Sequence, residues 1–242
     1  MPTWVHQQDV EIGLANKLMF KFASKVTSAL EETVKNVKRP VEWIGNPSRE
    51  LAVKNISASR KRFDIPEGAP VIFVVGGGTG SSSINELILA AVPQLNPKWY
   101  VIHLVGKNRP SELAARASTV FPNYRVYNFF TEEMKDAYAI ADVVVSRAGF
   151  STLTELATLS KAAIILPMYG THQEVNARYF ASRDGVVLLE RTDSNGLKAA
   201  QIIKGLVTSP KRRQELGDKL HQLLPKTKPE KIVEIISSLT KI

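Results

Sequence analysis

The chain has 242 residues, 44% of them apolar and 23% charged, with a formal net charge of +9. This excludes a disordered tail and allows one large domain, or one domain with part of another. The lack of cysteine excludes a disulfide framework and thiolate metal sites and fits a reducing cytoplasm, and no segment approaches the roughly 18 apolar residues of a membrane span.

The opening Met1-Pro-Thr-Trp-Val-His6 lacks the basic and apolar regions of a signal peptide. Basic residues gather at Lys17–Lys38, Arg60–Arg62 and Lys211–Arg213. An anionic membrane surface, a phosphate-rich substrate or a merely solvated face would each account for them. No nucleic-acid motif and no interleaved aromatic residue accompanies them, so nucleic acid is not an expected partner.

The first 60 residues supply a helix at about Glu11–Ala23 and strands at Lys25–Leu30 and Val41–Ile44, ending at Gly45-Asn46-Pro47. These are too few strands for an independent sheet and read as the tail of a domain. From Pro70 strands and helices alternate. Val71–Val75 is an apolar strand, a glycine loop follows, and a helix spans Ser82–Ala91. Next come a strand at Trp99–Val105 and a helix from Ser111 to about Ser118. A strand at Tyr124–Phe129 and a helix at Glu132–Ile140 follow. Asp142–Ser146 is a strand with its helix at Ser151–Leu159; Ala162–Pro167 is a strand with its helix at His172–Arg183. Val186–Glu190 is the last strand, before helices at about Gly196–Val207, Pro210–Leu223 and Pro229–Leu239. Repeated units of this kind, with almost wholly apolar strands, predict an α/β fold with a parallel sheet covered on both faces. Such sheets bind ligands at the carboxyl ends of their strands, so the loops after Val75, Ser146 and Pro167 form one candidate site.

In the loop after Ser146, Ser146-Arg-Ala-Gly149 turns a buried strand into a helix start, a pocket of N–H groups suited to an anion. Glu155, in the first turns of that helix, offers a carboxylate to a neutral diol such as ribose. Ser151 has no nucleophile elbow around it and is expected to cap the helix. Gly76-Gly-Gly-Thr-Gly-Ser-Ser-Ser83 lets the backbone approach a diphosphate. It is neither a Walker loop nor a G-x-G-x-x-G fingerprint, and a tight strand–helix connection is the alternative reading. In the third loop Thr171 caps a helix whose first turn presents His172 and Gln173, with Asn176 one turn on expected to face the same way. His103 lies within an apolar run and is expected in the core, and Lys107 is either a phosphate contact or solvated. The four histidines lack metal-ligand spacing. Phosphate and sugar hydroxyls held close together point to a nucleotide.

These loops, with two earlier segments, resemble the MurG family. His6-Gln-Gln-Asp9 with Gly13-Leu-Ala-Asn-Lys17 is similar to its His-Glu-Gln-Asn segment and trailing Gly-Leu-x-Asn-Lys. Gly45-Asn-Pro-Ser-Arg49, Gly76–Ser81, Ser146–Glu155 and His172–Ala177 complete five ordered motifs covering almost the whole chain. The resemblance implies a GT-B glycosyltransferase, two Rossmann-like domains facing across a cleft. It implies inverting transfer of N-acetylglucosamine from UDP-GlcNAc to undecaprenyl-diphospho-muramoyl pentapeptide (lipid I) to give lipid II in peptidoglycan synthesis. It implies no cofactor and no required metal, and a cytoplasmic location on the inner face of the cell membrane.

By the same resemblance, residues 47–225 are the UDP-sugar domain, 1–46 the tail of an incomplete acceptor domain, and 226–242 a helix packing back on that domain. Arg49 and the Phe129–Phe130 backbone would hold uracil, Glu155 the ribose hydroxyls, and Gly77, Gly78 and Thr79 the diphosphate. Gly149, Phe150 and Ser151 belong to the same donor wall, and His172 and Gln173 would read the sugar. Asp9 stands where the family has an asparagine near the sugar, and Gly78 where it has a serine. The candidate catalytic base would lie in the acceptor domain outside this chain, so little transfer by the chain alone is expected. A donor-binding subunit with a separate acceptor-domain partner, and another UDP-sugar glycolipid transferase, are the alternatives.

Overall fold

A computed structural model describes residues 1–35, 37–107, 112–193 and 195–240. The N-terminal part comprises β1 (Trp4–Gln7), α1 (Leu14–Met19), β2 (Lys25–Ser28), α2 (Glu31–Lys35) and β3 (Glu42–Trp43). After α3 (Ile56–Arg62) come β4 (Val71–Val75), α4 (Ser82–Ala91), β5 (Tyr100–Leu104), α5 (Glu112–Val120), β6 (Tyr124–Tyr127) and α6 (Glu133–Ile140). The chain continues through β7 (Val143–Ser146), α7 (Phe150–Thr158), β8 (Ala163–Ile165), α8 (His172–Ala181) and β9 (Val187–Leu188). It finishes with α9 (Gly196–Val207), α10 (Pro210–Leu223) and α11 (Pro229–Thr240). Ser111, the expected first residue of α5, lies outside the described residues.

Six strands form a parallel sheet in the order β6-β5-β4-β7-β8-β9. This is a doubly wound arrangement whose strand order reverses between β4 and β7. Every residue of β4 and β7 is buried, as a parallel strand covered on both faces requires. Alternate residues feed opposite cores. Phe73, Val75 and Val144 pack with α6 and α7, whereas Ile72, Val74, Val143 and Val145 pack with α4 and α9. Tyr138 stands edge-on to Phe73 at 5.2 Å between ring centres. Helix starts follow local chemistry: Ser81, Thr171, Asn195 and Ser209 each accept a first-turn N–H, and Pro210 occupies the first turn of α10, where no donor is needed.

The N-terminal segment corrects the sequence expectation. It forms its own three-stranded parallel sheet, β1-β2-β3, because the four residues of β1 pair with β2 from Trp4↔Lys25 to Gln7↔Ser28. β1 alternates half-buried and buried positions over only four residues, too short a run to stand out in sequence. Its core is small: Val5, Phe20, Ala23 and Val26. The expected helix at 11–23 shrinks to Leu14–Met19, with no buried residue.

Asn46 joins this small sheet to the rest. Its Oδ1 faces His6 Nε2 at 3.0 Å and its Nδ2 donates to Thr154 Oγ1 on α7 at 2.7 Å. Its backbone N–H donates to Pro225 and its carbonyl accepts from Thr227 N–H. Beyond that junction, Lys231 on α11 pairs with Glu42 at 2.6 Å.

Candidate functional site

Where the strand order reverses, the connections leaving β4 and β7 run to opposite faces of the sheet and a crevice opens between them. On one side is the glycine loop. Gly77 (φ +89°) and Gly80 (φ +77°) occupy the left-handed region that side chains disfavour. A Cβ on Gly80 would lie 2.0 Å from the Val105 carbonyl, so this glycine also lets the loops after β4 and β5 touch. Gly77, Gly78 and Thr79 are exposed, and Ser81 closes the loop by capping α4. The result is exposed main chain at the positive end of a helix, suited to a diphosphate.

The opposite side is built from α7. Gly149 is its N-cap and offers no side-chain oxygen. Ser151, expected as the cap, instead lies one residue inside the helix with its side chain exposed. It cannot cap from there, because capping geometry belongs to the residue that precedes the helix. The first-turn N–H groups of α7 are thereby left to a ligand or to solvent. Phe150 turns inward and packs against Phe180, contributing only main chain to the crevice.

Glu155 lies one turn further on, its side chain 15% exposed. Arg49 Nε donates to Glu155 Oε1 at 2.7 Å, so two residues expected in adjacent roles are in direct contact. The buried Tyr138 lies near Glu155; burial first, then the nearby carboxylate, pushes its phenol well above its ordinary value. Glu155 is held by Arg49 with its second oxygen left to other donors.

Phe129 is exposed beside the glycine loop; a Cβ on Gly78 would sit 3.9 Å from its ring. Lys107 is also exposed and lies 4.3 Å from the centre of the Phe129 ring, a cation–π contact. Phe130 points the other way, into the aromatic cluster of Phe63 and Tyr127.

The third loop departs from expectation at Asn176, which is buried and does not share the exposed face of His172. Its amide reaches across to the N-terminal segment: Nδ2 donates to Asp9 Oδ1 at 2.8 Å and Oδ1 accepts Val10 N–H at 3.1 Å. Asp9 is thus brought to the mouth of the β7–α7 loop, where Asn176 Nδ2 also meets the Ala148 carbonyl at 3.4 Å. Thr171 caps α8 as expected. Gln173 Oε1 accepts Met168 N–H at 3.2 Å, which folds the loop onto its own helix. Among the described residues no hydrogen bond or ion pair joins His172 or Gln173 to Glu155 or Gly77–Thr79. His103 is a core residue between Tyr124 and Asn85, and burial lowers it to about 3.

Sequence reasoning missed three organisers. Tyr138 reads as one apolar position of α6. Asn46 reads as part of a turn. Arg147 reads as a turn residue, yet it donates to the Leu166 and Pro167 carbonyls and to Ser83 Oγ, tying the three loops together. Its only sequence signal is a cation directly after a buried strand. Among the described residues no group of three metal-ligating side chains occurs.

The geometry agrees with known proteins. Residues 71–233 match the model of the glycosyltransferase family 28 C-terminal domain. A UDP-N-acetylglucosamine--N-acetylmuramyl-(pentapeptide) pyrophosphoryl-undecaprenol N-acetylglucosamine transferase of Thermodesulfovibrio yellowstonii is 33% identical over 255 residues, covering 100% of this chain and 68% of its own length. The protein of the same name in Legionella pneumophila (strain Lens) is 31% identical, with coverages of 98% and 65%. The chain therefore spans about two-thirds of the length of these relatives. The crystal structure of Acinetobacter baumannii MurG superposes with a TM-score of 0.79 at 23% identity, over 98% of this chain and 67% of that one, which establishes the shared fold. Matching doubly wound sheets, a matching domain model and relatives aligned from end to end of the chain lead to one conclusion: it belongs to the MurG family of glycosyltransferase family 28.

Proposed function

We propose that this chain binds UDP-GlcNAc in the crevice between the glycine loop and α7, for transfer of N-acetylglucosamine to an undecaprenyl-diphosphate-linked muramoyl pentapeptide. The observation that supports this is the Arg49–Glu155 pair, a partly exposed carboxylate held on α7 about one turn beyond a helix start that carries no side-chain cap, at the strand reversal. Glu155 accepts the ribose hydroxyls, and the N–H groups of Gly77, Gly78 and Thr79 and the first turn of α7 bind the diphosphate. As the glycosidic bond to UDP breaks, charge grows on the departing phosphate, and these fixed amide dipoles offset it. His172 and Gln173 read the sugar hydroxyls, Arg49 and the main chain at Phe129–Phe130 hold uracil, and Asp9, through Asn176, borders the sugar. On this reading residues 47–225 form the donor domain, and 1–46 with the helix of 226–242 form the acceptor side.

Isothermal titration with UDP-GlcNAc tests the assignment. Glu155→Ala is expected to weaken binding about tenfold or more, the scale of a lost hydrogen bond to a charged group. Equal affinity in wild type and mutant would remove Glu155 from the site. UDP-galactose, run alongside, tests the sugar choice assigned to His172 and Gln173.

A specific observation also supports a membrane-facing or partner-facing role for residues 1–46. Leu14, Leu18, Met19 and Phe22 are exposed among Lys17 and Lys21. Apolar side chains ringed by lysine suit the anionic inner face of a membrane. They suit a separate acceptor-domain protein only where that partner is acidic. Flotation with anionic and neutral vesicles separates the two, since only the first surface predicts binding that depends on lipid charge.

A further inference from the structure

The same end of the six-stranded sheet carries a second concavity, on the face covered by α4 and α9 and away from Glu155. It is a groove of about 580 Å³ bounded by α4, the loop after β8 and the first turn of α9. That volume lies in the range of small-molecule sites. Its floor is apolar: Leu87, Ala90, Leu166 and Pro167.

Two guanidinium groups line it, Arg147 and Arg191. Among the described side chains neither has a carboxylate within ion-pair distance. Arg147 spends its donors on two carbonyls and a hydroxyl, and its Nε is buried without a partner. Arg191 is exposed and lies 6.0 Å from the centre of the Tyr169 ring, which also lines the groove. Glu86 is the one carboxylate on the described rim, and it does not neutralise them: its two oxygens are held by Arg116 at 3.0 and 2.8 Å. The wall on the far side is the start of α9, a helix of 12 residues that presents its positive end. Among the described side chains, two guanidinium groups without a carboxylate partner and a helix N-terminus thus converge over an apolar floor, with an aromatic ring at the edge. An exposed guanidinium beside a helix N-terminus offers an anion charge-assisted hydrogen bonds that water alone now supplies.

We infer that this groove binds a small anion carried on a planar apolar body, of the aryl phosphate class. The ring lies on Leu87, Ala90 and Pro167 beside Tyr169, and the phosphate meets Arg191 and the N-terminus of α9. The groove shares Arg147 and the loop after β8 with the surroundings of the nucleotide crevice but opens on the α4–α9 face of the sheet, so the inference does not depend on what Glu155 binds.

Titration of the isotopically labelled chain with 1-naphthyl phosphate, followed by amide NMR, tests it, with inorganic phosphate and 1-naphthol as separate arms. Saturable shifts are expected at Tyr169, Arg191 and Gly196, persisting in excess UDP, with each half-ligand binding at least tenfold more weakly. Arg191→Gln is expected to weaken binding about tenfold and Arg191→Glu to abolish it; the exposure of Arg191 leaves the fold intact in both. The inference fails if the shifts are absent, if they cluster at Gly77 and Glu155 and vanish with UDP, if inorganic phosphate binds as tightly as the aryl ester, or if Arg191→Glu binds as wild type does.

Discussion

The two sheets of this protein are held by different means. The six-stranded sheet is sandwiched between two apolar layers and has fully buried central strands. The three-stranded sheet has four buried apolar residues in its core and leans on polar tethers: Asn46 to Thr154, Asp9 to Asn176, and Glu42 to Lys231. A parallel sheet with helices on both faces is self-sufficient; one with a single small core borrows stability from its neighbours.

The largest expected effect lies in the large sheet. Phe73→Ala should cost about 3–5 kcal/mol, the range for removing a buried aromatic ring, and lower the urea midpoint of both sheets together. Asn46→Ala should cost about 1–3 kcal/mol, because it leaves His6 and Thr154 short of a partner. Here the comparison sharpens: amide exchange should quicken in β1–β3 while β4 and β7 stay protected. Equal acceleration in both sheets would show that the small sheet is no separate unit.

Acid should act on both sheets from the same onset, since burial lowers both His6 in the small sheet and His103 in the large one. His103 is held neutral by burial, to about 3, so below its ordinary value near 6.5 the unfolded chain takes up a proton that the folded chain refuses. Stability then falls by about 1.4 kcal/mol per pH unit on going down from there until the folded value is reached. Comparing urea midpoints at pH 7 and pH 5 for wild type and His103→Gln checks this, since the mutant should lose that part of the slope.

The smallest effect belongs to Glu42. Hydrogen bonds from Lys231 and then Lys25 hold its carboxyl below its ordinary value near 4.5. Its contribution is therefore present above that value and lost as pH falls through the lower, folded one. Because the pair is about one-third exposed, Glu42→Gln should cost less than about 1 kcal/mol at pH 7, with the gap to wild type closing in acid and in high salt.

The same contrast governs what could be read from the residues alone. β4, β7 and β8 were legible because an unbroken apolar run followed by glycine or a helix start has few other meanings. The glycine loop and the helix cap at Thr171 are local chemistry and were equally plain. β1 was not, since four alternating residues acquire identity only through pairing with β2. α3 was missed because it buries only Ser59 among its residues and is fixed by that hydroxyl's 2.6 Å bond to Asp136 and by Arg62. The turn of Asn176 toward Asp9, and the reach of Arg147 across three loops, are long-range pairings that periodicity cannot carry. Ser151 shows the converse error, a good capping residue placed two positions too late to cap.

The junction at Asn46 also sets an order of events in time. Its backbone N–H and carbonyl are satisfied by Pro225 and Thr227, and Gly45 packs so closely on Pro225 that a Cβ there would lie 2.1 Å from its carbonyl oxygen. During synthesis the first sheet emerges early, but the segment Pro225–Thr227 that closes this junction emerges only after the whole six-stranded sheet has been made. Until then the exposed leucines and phenylalanine of the N-terminal segment must wait on a loosely held scaffold, the interval in which a nascent chain is most open to association with other chains.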